Sequence, residues 1–96
     1  MATDYYALEY DTVEGFADRR VAFREEHLRL VHNAHSRGEL LMAGALGNPP
    51  DGALLIFHTN TAARAEEFAR CDPYVTGGLV RHWQVRPWAV VVGRDA

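Results

Sequence analysis

The sequence predicts the element order βαββαβ, a ferredoxin-like α+β arrangement with a four-stranded antiparallel sheet and two helices on one face. Three features carry this prediction. One long amphipathic pattern, from about Phe16 to Arg37, has helical periodicity. Short runs of aromatic and aliphatic residues precede and follow it, separated by glycine and proline breaks. The strongest turn signal, Asn48-Pro49-Pro50-Asp51-Gly52, lies between two of these runs and folds them into a hairpin.

In chain order, residues 5–10 place Tyr6, Leu8 and Tyr10 on one side of a first strand. Asp11 to Gly15 is a polar connection. In the helix that follows, Phe16, Phe23, Leu30 and Ala34 recur at helical intervals and share one face. Gly38 ends it. Leu40 to Gly47 is the second strand, where Gly44 is expected to mark a bulge or a close backbone approach. Ala53 to His58 pairs back as the third. Thr61 is the expected N-cap of a second helix with a narrow apolar face of Ala65, Phe68 and Ala69, stopped by Asp72-Pro73. After the Gly77-Gly78 break, Leu79 to Val92 reads as a long final strand carrying Trp83, Val85, Trp88 and Val90.

The third strand, Leu54-Leu55-Ile56-Phe57, is apolar on both faces. Two helices, each roughly 10 Å wide, cover one face of four strands spaced roughly 4.8 Å apart, which leaves the other face bare. The simplest cover is a second copy, sheet against sheet, so the expected state is a homodimer closed into a dimeric α+β barrel. At 96 residues the chain, 1–96, reads as a single domain small enough to benefit from such a shared interface.

Composition narrows the function. A net charge of −3 with no basic block argues against nucleic acid as a partner. Cys71 is the only cysteine, so no intramolecular disulfide is possible. Met1-Ala2-Thr3-Asp4 lacks a basic and apolar leader pattern and no window approaches a membrane span, so no membrane partner is expected and the expected location is cytoplasmic. His32 and His35 stand three apart but lack a third ligand at a recognisable spacing, and His58 and His82 sit in strands without a partner pattern. No phosphate loop, dinucleotide fingerprint or nucleophile elbow occurs. No metal and no organic cofactor is therefore expected. The carboxylate next to Cys71 disfavours a thiolate, which argues against a nucleophilic role.

His27 breaks the helix pattern, because it lies on the apolar face where an aliphatic residue is expected. Arg24 is one turn behind it and Arg20 two, so both guanidinium groups flank the imidazole. A polar ring facing a core costs roughly 1–3 kcal/mol unless it is partnered. The residues alone leave two readings, a core histidine satisfied by a carbonyl or a functional one. Asp72 before Pro73 likewise reads as an N-cap with proline at the first helical position. One carboxylate oxygen suffices to cap, so Asp72 remains able to serve a second partner.

Four blocks resemble the signature of the YCII-related (YciI-like) family. They are Arg24-x-x-His27-Leu28, Gly38-Glu39-Leu40-Leu41-Met42-Ala43-Gly44, Asp72-Pro73-Tyr74-Val75 with Gly78-Leu79-Val80, and Val85-Arg86-Pro87-Trp88. The resemblance implies a ferredoxin-like fold assembled as a dimeric α+β barrel, similar to muconolactone isomerase and to cofactor-free monooxygenases. One branch of the family is linked to dehydrochlorination of chlorinated aromatics. The resemblance also implies a His27–Asp72 pair in a pocket beside Arg24. Two departures carry expectations: Cys71, where alanine is usual, narrows the pocket, and the short Asn48–Gly52 turn removes a lid.

The resulting assignment has His27 and Asp72 as catalytic residues, Arg24, Arg20 and Tyr74 as substrate-binding residues, and no metal. The expected activity is cofactor-independent general acid–base chemistry, as a lyase or isomerase, on a small oxygenated cyclic or aromatic compound. A non-catalytic sensor or carrier using the same pocket, and a dimerisation module, remain open, because fold does not choose among them.

Overall fold

The computed structural model describes residues 4–93, so Met1 to Thr3, part of the N-terminal segment considered above, lie outside the described residues. The chain runs β1 (Asp4–Thr12), α1 (Phe16–Arg19), a 3₁₀ turn (Arg20–Phe23), α2 (Arg24–Ser36), β2 (Leu40–Leu46), β3 (Gly52–Thr59), α3 (Ala63–Cys71), α4 (Pro73–Thr76) and β4 (Val80–Trp88). The strands form one sheet in the order β2-β3-β1-β4, with every neighbouring pair antiparallel. This is the ferredoxin-like α+β fold.

Strand alternation decides which side chains meet the helices. Leu8 and Tyr10 of β1 stand opposite Leu55 and Ala53 of β3, and all four are buried in one core with Leu40, Phe57, Phe68 and Leu79. The opposite parity of β3 is also apolar, with Ile56 buried on the far side. Around it Met42 is 68%, Leu46 49% and Trp88 48% exposed, so this second face is apolar and open within the protomer.

Several local expectations change. The first helix is not continuous: the backbone tightens into the 3₁₀ turn between α1 and α2. A 3₁₀ turn advances about 120° per residue rather than 100°. The turn therefore rotates the Phe16 face relative to α2, which lets Phe16 meet Tyr74 edge-on while Phe23 packs on Gly77. Nothing lies within 4 Å of where a Cβ at Gly44 would stand, so it is not a point of close approach. The bulge in β2 falls between Leu40 and Met42 instead.

Thr61 does not occupy the N-cap position of α3, which is Ala62, although its hydroxyl accepts the Ala63 N–H at 3.2 Å. β4 stops at Trp88 rather than Val92, and Trp88, its last residue, stands opposite Tyr5 of β1. Asp72 ends α3 and at once begins α4, with Pro73 in the first helical turn. Gly38, at φ +80°, closes α2 by donating its N–H to His35 O at 2.9 Å.

Candidate functional site

A cavity of about 260 Å³ opens between α2 and the sheet. α1 contributes Phe16, the 3₁₀ turn Arg20, α2 Arg24, His27, Leu28 and Val31, and α4 Tyr74. The floor is made of small residues, Ala43, Gly44 and Ala45 on β2 and Ala53 on β3, which leave the space that larger strand residues would fill.

Asp72 lies behind the cavity wall and is fully buried. His27 Nδ1 is 2.9 Å from Asp72 Oδ1 and 3.0 Å from Oδ2. Tyr10 donates its hydroxyl to Oδ2 at 2.7 Å, and the Tyr74 backbone N–H donates to Oδ1 at 3.0 Å. Asp72 is thus an N-cap and the partner of His27 at the same time. Three converging donors suit an ionised carboxylate, which accepts charge-assisted hydrogen bonds. With Nδ1 facing Asp72, the proton on the neutral ring belongs there, and Nε2 carries the lone pair. Among the described residues Nε2 has no hydrogen-bond partner.

Tyr74 fixes the imidazole from one face. The two rings stack at 3.9 Å with an interplanar angle of 12°. Phe16 buttresses Tyr74 edge-on at 5.3 Å and 87°. Arg20 lies over the Phe16 ring, with Cζ 5.8 Å from the centroid. The Tyr74 hydroxyl is buried and has no partner of hydrogen-bonding geometry among the described residues. Burial raises its pKa, while the guanidinium groups of Arg24 and Arg20 pull it back down. Tyr10 is pushed far above the ordinary tyrosine range, first by burial, then by the charge of Asp72 and the hydrogen bond to it.

The five residues singled out from sequence therefore gather at one place. Arg20, Arg24, His27 and Tyr74 line the cavity, and Asp72 supports it from behind. Tyr10 was not among them. The available signal was a hydroxyl on the core side of β1, two residues past Leu8, where a buried tyrosine needs an acceptor. Cys71 does not narrow the cavity: it is exposed and lines a separate depression with Leu30, Asn33 and Phe68. No residue of the turn between β2 and β3 reaches the cavity. His32 and His35 are exposed, and among the described residues no group of three or more His, Cys, Asp or Glu is placed to hold a metal ion.

The chain is 30% identical over 83 residues to Protein YciI of Escherichia coli, a match covering 77% of this chain and 85% of that protein. Its fold superposes with a TM-score of 0.73 on 5-chloro-2-hydroxyhydroquinone dehydrochlorinase from Burkholderia phenoliruptrix, solved in complex with 2,5-dihydroxybenzoquinone. That pair is 16% identical, over 88% of this chain and 93% of the other. A candidate antibiotic biosynthesis monooxygenase from Bacteroides thetaiotaomicron follows at a TM-score of 0.61 and 10% identity, covering 97% and 93%. At these identities the two structures establish a shared fold. The sequence profile of the YCII-related domain matches residues 4–89, and on that match and the identity to Protein YciI the chain belongs to the YCII-related family.

Proposed function

We propose that this protein is a cofactor-independent enzyme that performs general acid–base chemistry, as a lyase or isomerase, on a small oxygenated cyclic or aromatic compound. The observation that carries this reading is the His27 imidazole, held at Nδ1 by the buried Asp72 carboxylate with Nε2 left unpartnered beside the cavity. The dehydrochlorinase of the same fold, described with a quinone bound, supports an aromatic or quinonoid substrate class.

The chemistry follows from the arrangement. Nε2 takes a proton from a carbon or hydroxyl of the bound compound, and the Asp72 charge stabilises the imidazolium that forms. The electron pair left behind moves onto a ring oxygen, where Arg24 and Arg20 stabilise it. The intermediate then takes the proton back from the imidazolium at another position, as an isomerase, or re-forms the ring carbonyl as the bond to the leaving group breaks, as a lyase. The leaving group departs with that bonding pair, and the imidazolium returns its proton to it or to solvent. Stacking on Tyr74 restrains the imidazole plane throughout.

A thermal-shift screen against hydroxylated aromatics, lactones and carboxylates identifies a ligand by mass action, and turnover of that ligand is then followed by chromatography. His27→Gln should retain binding and lose turnover by about 10²-fold or more. Equal turnover by wild type and variant would remove the acid–base assignment. A ligand that binds and is returned unchanged by the wild type would instead make the pocket a carrier or sensor site. We further place the active form as a homodimer in the cytoplasm, on the strength of the open apolar sheet face and the single unpaired cysteine.

A further inference from the structure

The charge around the cavity specifies its ligand more closely, on the basis of the small-molecule reading above. Arg29, Arg37, Arg64, Arg81 and Arg86 each pair with an Asp or Glu. Arg20 and Arg24, the two arginines that line the cavity, have no carboxylate partner among the described residues, as is true of Arg19 and Arg70 outside it, and what sets the cavity pair apart is that no Asp or Glu lines the wall they share. Asp72, behind the wall, is fully buried and already accepts from Tyr10, His27 and the Tyr74 N–H. The two guanidinium groups, Arg20 half-buried and Arg24 exposed at the rim, stand against a single buried carboxylate, so positive charge is in excess at the mouth of the cavity. The Tyr74 hydroxyl, beside the Arg24 guanidinium, adds a buried O–H that no acceptor among the described residues takes, and such a group is costly to leave unsatisfied.

The remaining walls are apolar, with Leu28, Val31 and Leu55 among them. An apolar cavity of about 150 Å³ holds a benzene ring, so about 260 Å³ accommodates one ring with one or two polar substituents. We infer that the pocket selects a single-ring compound bearing one negative charge, its anionic oxygen held by Arg20, Arg24 and the Tyr74 hydroxyl and its ring against Leu28, Val31 and Leu55. A ring carboxylate and an ionised phenol share this chemistry.

Isothermal titration at low ionic strength tests the inference with two matched pairs, benzoate against benzamide and 4-nitrophenolate against 4-nitroanisole. At least one anion should bind about tenfold tighter than its neutral counterpart, since charge-assisted hydrogen bonds exceed neutral ones by about that factor. Preference within the benzoate pair identifies a carboxylate ligand, and preference within the nitrophenolate pair identifies a phenolate. Arg24→Gln and Arg20→Gln, each checked for an unchanged thermal midpoint, should weaken the preferred anion about tenfold and leave the neutral partner within about twofold. Anions and neutral isosteres that bind alike would overturn the charge selection while leaving the pocket a small-molecule site. No binding by any of the four at millimolar concentration would overturn the small-molecule reading and this inference with it. The readout is binding alone, so an absence of turnover bears only on the acid–base chemistry.

Discussion

Asp72 accepts hydrogen bonds from β1 through Tyr10, from α2 through His27 and from α4 through the Tyr74 N–H, so its loss is felt in three elements at once. Asp72→Ala leaves these buried donors without an acceptor and should lower the unfolding free energy in urea by about 3–5 kcal/mol. A residue acting only as an N-cap would cost about 1 kcal/mol. Asp72→Asn keeps the volume and most of the capping ability, so it should lose less than alanine, and the remaining deficit measures the charge. Tyr10 contributes a pH dependence of known sign. Its folded-state pKa is raised by burial, by the Asp72 charge and by the hydrogen bond to it. The stabilisation it carries is then fully present below the unfolded value of about 10 and is lost as pH rises above that value toward the folded one. The urea midpoint should therefore fall above about pH 10. Tyr10→Phe should flatten that fall in part, since Tyr74 is also raised by burial. At neutral pH the same variant should cost about 1–3 kcal/mol, because Asp72 loses a donor.

Elements meet at points where the backbone itself is the contact. A Cβ at Gly77 would stand 2.7 Å from Pro73 O and 2.8 Å from Phe23 Cε1, closer than real Cβ contacts allow. This is where α4 packs on the 3₁₀ turn, so Gly77→Ala must push apart the two segments that carry Tyr74 and Arg20. It should lower stability by about 1–3 kcal/mol. Gly44→Ala is the control: open space surrounds that position in β2, and removing a strand glycine should leave stability equal or higher by about 0.5–1 kcal/mol. Thermal unfolding of both variants separates the two cases. The helical periodicity running from Phe16 to Arg37 cannot register the 3₁₀ interruption, because Phe16 and Phe23 remain on the apolar side of either geometry. The packing of Phe23 on Gly77 involves a residue far along the chain, which local periodicity does not reach.

At the scale of the molecule, the open sheet face is the feature that calls for a partner. Met42, Leu46 and Trp88 are each at least about half exposed there, beside the buried Ile56. In the proposed homodimer, light scattering at micromolar protein should report about twice the 10.8 kDa of the chain. Obligate interfaces of this kind are largely apolar, so Leu46→Arg, at the exposed end of β2, should shift the population toward monomer. A monodisperse monomer for the unmodified chain would rule out sheet-on-sheet closure.

Much of this architecture is written locally. Alternation in β1, the turn between β2 and β3 and the helical spacing of Phe16, Phe23, Leu30 and Ala34 determine which elements form and which faces turn inward, because these properties depend on residues a few positions apart. His27 stood out for the same reason, as a titratable ring on an apolar stripe. Contacts across long separations were decided elsewhere. Tyr10 and Asp72 are 62 residues apart, and His27 and Asp72 are 45. The alternation of β1 turns Tyr10 to the same side as Leu8, but that its hydroxyl meets Asp72 depends on how the α3–α4 junction packs over β1, which no local pattern encodes. The position of Cys71 is set likewise by the face α3 presents. Local spacing determined the elements and their apolar faces, and tertiary packing decided which side chains from separate elements share the carboxylate at the base of the site.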